Sequence, residues 1–69
     1  MDYIYETYVR LRDERGMSDY AVAKDAGISS SKLYDWKSGK SAPKVDNLRK
    51  IANALGVQLM DLIDPVPRL

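Results

Sequence analysis

The chain has 69 residues, 30% of them charged, a formal net charge of +1, and neither cysteine nor histidine. That length allows one domain, near the lower limit at which a core holds a chain folded without staples. The missing residue types exclude a disulfide framework, a thiolate nucleophile, a cysteine metal site and the usual general base, so an enzyme is not expected.

No apolar run approaches the length of a membrane span. The N-terminal stretch MDYIYETY has neither the basic nor the apolar region of a signal peptide, which points to the cytoplasm. Charge is unevenly spread. Residues 1–28 carry four basic and six acidic side chains, and residues 45–69 balance. Between them, Lys32, Lys37, Lys40 and Lys44 face Asp35 alone. The positive charge is therefore local.

Along the chain, Ile4, Tyr8 and Leu11 recur at helical spacing and Gly16 stops the run, which predicts a first helix over about 2–15. Within it, RLRDER reads as a charge-laced, solvated surface with no binding role. Met17 packs back and Ser18 caps a second helix that turns Val22, Ala23 and Ala26 inward. Gly27 ends that helix in a left-handed conformation. Ser29 then caps a third helix with Leu33 and Trp36 on its inner face, and Gly39 closes it. KSAPK is a polar loop. Leu48, Ile51, Ala52 and Leu55 make a fourth helix, with Lys44 in place of a good cap and Asp46 favouring the dipole instead. Val57, Leu59, Leu62 and Ile63 predict a short fifth helix, weakly capped by Gln58 and stopped by Pro65. No segment alternates with period two long enough for a strand. The expectation is an all-α, five-helix domain over residues 1–64 with a short tail over 65–69.

Two helices joined by a short glycine turn form a helix-turn-helix unit, whose second helix can enter the DNA major groove. Ala23 permits close approach, Gly27 makes the turn, and Ile28 and Leu33 plug the space between the helices. The run VRLRDERGMS, the pair DYAVAKDAGISSSKLYDWKSGK, the Pro43 loop and LRKIANALGVQLMDLI together resemble the lambda-repressor/Cro-like helix-turn-helix family over residues 9–63.

The resemblance implies double-stranded DNA binding as a small, repressor-like transcriptional regulator, with a recognition helix at about 29–37. It also implies a homodimer; with no second domain to reinforce pairing, that dimer is expected to be weak without DNA. No cofactor, metal or small-molecule ligand is implied. Ser30, Ser31, Lys32, Tyr34 and Asp35 are the candidates to meet base edges. Ser29, Lys37, Lys40, Ser41 and Lys44, with the backbone of residues 39–41, are the candidates to meet phosphates. Leu59, Leu62, Ile63 and Val66, with the rest of the apolar tail, are candidates for the dimer surface. Family members often carry glutamine where Asp19 stands, touching a phosphate; the aspartate is read as an N-terminal helix charge. Tyr8 reads as core, and Tyr3, Tyr5 or Tyr20 as partly exposed and open to a partner. Those tyrosines, Asp19 and the low net charge favour an alternative, the same scaffold used for protein interaction.

Overall fold

The computed structural model describes residues 3–64. Among them five helices follow in order: α1 Tyr3–Glu14, α2 Asp19–Ala26, α3 Ser30–Ser38, α4 Val45–Leu55 and α5 Leu59–Ile63. No described residue lies in a strand.

Each helix begins and ends for a local reason. The Ser18 hydroxyl accepts the Ala21 N–H at 3.1 Å and starts α2. At the other end Gly27 takes φ 74°, which lets the Ile28 N–H reach back to the Ala23 carbonyl at 3.0 Å. A Cβ added at Gly27 would meet no atom within 4 Å, so backbone conformation, not lack of room, demands glycine. The Ser29 hydroxyl accepts the Ser31 N–H at 3.2 Å and starts α3. Lys44 gives α4 no side-chain cap, as its chemistry requires. The start of α5 is better secured than Gln58 alone suggests. The Asp61 carboxylate reaches back to accept the Gln58 N–H at 2.9 Å.

The helices close on one another because each offers one apolar face. α2 packs against α3 and α4, α4 packs on α5, and α5 returns to α1. Tyr8, Val22, Leu33, Ile51, Leu55 and Leu62 are the largest fully buried side chains of the core. Ile4, Met17, Ile28 and Leu59 pack around them, half-buried.

Two expectations need correction here. Tyr5 is not partly exposed: it keeps 8% of its surface and packs edge-on against Trp36, with ring centroids 5.0 Å apart. Leu62 is not available to a dimer surface. A helix of five residues has a single apolar face, and α5 presses it between α4 and α1, leaving Leu62 no exposed area. Ile63 remains half-buried like Leu59, and Val66 lies outside the described residues. Tyr3 is 56% exposed, yet its hydroxyl donates to the Ile63 carbonyl at 2.7 Å and ties α1 to the end of α5.

Leu62→Ala should cost about 2–5 kcal/mol, as for other leucines fully enclosed by core neighbours. Urea denaturation measures it; a loss well under 1 kcal/mol would mean that α5 does not complete the core.

Candidate nucleic-acid interface

Helix α3 divides sharply by side. Leu33 keeps none of its surface and Trp36 only 4%, because both point into the core beneath α3. Ser30, Ser31, Lys32, Tyr34, Lys37 and Ser38 are exposed, and Asp35 is half-buried. At 3.6 residues per turn, Ser31, Tyr34 and Ser38 run along the side opposite the buried pair, with Lys32 and Lys37 on its two edges. Tyr34 stands 69% exposed on this strip. The Ser29 and Ser31 hydroxyls share a hydrogen bond at 2.8 Å, so Ser31 is held in place by the cap.

The loop after α3 continues the basic surface. Lys40, Ser41 and Lys44 are all exposed. The backbone of residues 39–41 is committed elsewhere: the Gly39 N–H donates to Trp36, and those of Lys40 and Ser41 to Asp35, at 3.1, 2.9 and 3.3 Å. Those donors close α3 and are not free to hold phosphates, which corrects the sequence expectation. What the loop offers to solvent is side chains. A shallow cleft of about 390 Å³ between α3 and the start of α4 is lined by Lys32, Ser41, Lys44 and Asn47, with Ala42 and Pro43 as its floor. Two ammonium groups, a hydroxyl and an amide thus line one cleft, and these are the donor types that anions take. Asn47 was not singled out in the sequence; it lies in the first turn of α4, and only folding brings it beside Lys32. A second groove runs past Lys37 and Ser38 at the far end of α3.

Beside α3, three side chains from two helices form a network that the sequence did not announce. The Tyr8 hydroxyl donates to the Asp19 carboxylate at 2.6 Å, and Arg12 donates to the same oxygen at 2.8 Å. Arg12 also holds Asp13, at 2.9 and 3.0 Å. Its guanidinium lies 5.7 Å from the centroid of the Tyr8 ring. Arg12 is thus pinned, not part of a freely solvated face, and Asp19 is more than a helix-dipole charge. Burial alone would push the Asp19 carboxyl up. The Tyr8 hydroxyl and Arg12 outweigh it, helped by the charge of Lys37, and hold Asp19 below the ordinary carboxylate value. Burial, then the bond to Asp19, push the Tyr8 phenol well up, so it stays a neutral donor. The bond to Asp19 raises Arg12 in turn.

A carboxyl whose pKa is lowered by folding adds stability above its unfolded value, about 3.9. That contribution is lost as pH falls through the lower folded value. Thermal unfolding of the wild type and of Asp19→Asn should therefore show a gap at neutral pH that narrows in strong acid. A gap independent of pH would contradict the ionised network.

A family model described as helix-turn-helix matches residues 10–62. An uncharacterised HTH-type transcriptional regulator of Sinorhizobium fredii, y4dJ, is 34% identical over 58 residues, which cover 84% of this chain and 75% of that protein. Among the described residues no helix is long and apolar enough to cross a membrane. The five helices, the capped glycine turn between α2 and α3 and these matches agree: the chain belongs to the helix-turn-helix family of the lambda-repressor/Cro-like kind, whose members are non-enzymatic DNA-binding transcriptional regulators.

Proposed function

We propose that the chain regulates transcription by laying the exposed side of α3 in the major groove of double-stranded DNA. The observation that carries this reading is the division of α3, with Leu33 and Trp36 buried and a polar strip bordered by Lys32 and Lys37 facing outward. The major groove admits one helix, and its base edges present the donors and acceptors that short polar side chains can meet.

On this reading Ser30, Ser31 and Tyr34 meet base edges, and Asp35, half-buried, reaches a cytosine amino group at the margin. Ser29, Lys37, Lys40, Ser41 and Lys44 hold the phosphates. Lys32 lines the cleft with Lys44 and Asn47, so it serves a phosphate as readily as a guanine edge. Regulation follows from occupancy: a dimer with two such helices, about 34 Å apart, covers two half-sites and blocks or recruits polymerase. Leu59 and Ile63, with Val66 and the tail beyond the described residues, are the dimer candidates that remain, and Met60, 62% exposed on α5, joins them.

The protein-interaction alternative loses two of its supports. Tyr5 is buried, and the charge of Asp19 is compensated by Arg12.

Fluorescence anisotropy of a labelled duplex of arbitrary sequence, titrated at several salt concentrations, tests the reading. Log affinity should fall linearly with log salt, with a slope reporting roughly three to six phosphates. Lys44→Ala should weaken binding on every sequence and lower the slope by about one. Tyr34→Ala should leave the slope and change the preference among sequences. Absence of binding at low salt would reject DNA as the partner.

A further inference from the structure

Asp19 lies outside the basic stretch in sequence, but the fold links the two: Asp19 accepts the Tyr8 hydroxyl at 2.6 Å, and the Tyr8 ring packs on Trp36, the neighbour of Lys37, with centroids 5.2 Å apart. Its carboxylate, 35% exposed at the front of α2, feels the charge of Lys37 in the last turn of α3. A polyanion drawn to Lys37 therefore approaches a negative group. Arg12 meets that group from α1, at 2.8 Å, while also bonded to Asp13 and set against the Tyr8 ring. Only 19% of the Arg12 side chain is exposed, so it is held inward and does not project as a phosphate hook. Asp13, 62% exposed, turns its share of negative charge toward solvent, where screening weakens it.

We propose that Arg12 is a masking residue for DNA binding: by pairing with Asp19 it cancels the charge at the front of α2 and lets a phosphate settle beside Lys37. Arg12 acts through Asp19, without touching DNA. The planar fork suits the task because it serves two carboxylates at once while its charge lies 5.7 Å from the centroid of the Tyr8 ring. The inference rests on the DNA-binding reading of α3.

Four proteins compared in one assay decide it: wild type, Arg12→Gln, Asp19→Asn and the double variant, each first shown to be folded by thermal unfolding. The probe is a labelled duplex of arbitrary sequence. At low salt Arg12→Gln should bind roughly three- to tenfold more weakly, the scale of one charge near a phosphate. Asp19→Asn should bind no more weakly than wild type, since the group that needs masking is gone. The double variant should recover to near wild type. A loss of packing caused by removing Arg12 would not be repaired by the second substitution, so recovery separates masking from a structural role.

A double variant as weak as Arg12→Gln would overturn the proposal, as would an unchanged Arg12→Gln. If Arg12→Gln does not fold, Asp19→Asn still decides: a tenfold loss there would show that the carboxylate is needed for itself. A wild type that binds no duplex would instead refute the DNA-binding reading, and this inference with it, before any variant is compared.

Discussion

The phenol of Tyr8 has no exposed surface, so its hydroxyl must find an acceptor inside the protein. It finds Asp19 at the first position of α2, at 2.6 Å. Its ring meets Trp36 of α3, with centroids 5.2 Å apart, and Tyr5 of its own helix at 5.8 Å. One side chain thus fixes α1 against both members of the helix-turn-helix. The aromatic cluster supports α3 from beneath, and the carboxylate holds the start of α2 from beside. Because Trp36 is anchored this way, the opposite side of α3 is committed to solvent, and the orientation of the polar strip follows. A chain of this size has little core with which to fix a helix of nine residues. Concentrating aromatic area under that helix is an economical way to do so.

Much of the fold was legible because its punctuation is local. Ser18, Gly27, Ser29 and Gly39 act within a few residues of their own position, and each does so where the sequence places it. The apolar spacing of α4 is likewise local, confined to the two turns from Leu48 to Leu55. What the sequence did not reveal is how a short helix is shared between neighbours. Leu62 reads as a spare apolar residue near the chain end, but α5 lies between α4 and α1, and that position is visible only in three dimensions. Tyr5 reads as exposed because it lies one residue off the Ile4, Tyr8 and Leu11 stripe. The bulk of Trp36 reaches around α1 to cover it.

The candidate site was legible in outline for the same reason and obscure in detail for another. Alternation of Leu33 and Trp36 with serines and lysines identifies the outward side of α3, since helix geometry alone decides it. Partnerships between residues far apart in sequence are a different matter. Arg12 sits in a run of charges that looks solvated, and Asp19 looks like a defect in a basic surface. Neither impression survives their 2.8 Å contact. Asn47 joins Lys32 across a cleft that exists only because the Pro43 loop returns α4 toward α3. The basic character of the surface therefore depends on compensation as much as on lysines. A net charge of +1 conceals a surface where Asp19 is paired with Arg12 and Asp35 is the one acidic residue of 29–44, among Lys32, Lys37, Lys40 and Lys44.

Backbone amide shifts of the protein, followed by NMR as a DNA duplex is added, would locate the bound surface residue by residue. If α3 occupies the groove, the largest shifts fall on residues 29–35 and on the loop and cleft from Lys37 to Asn47, while the start of α1 stays near its free position. Shifts centred on α1 and the exposed Tyr20, with residues 29–35 unmoved, would contradict the assignment of α3 as the DNA-reading element.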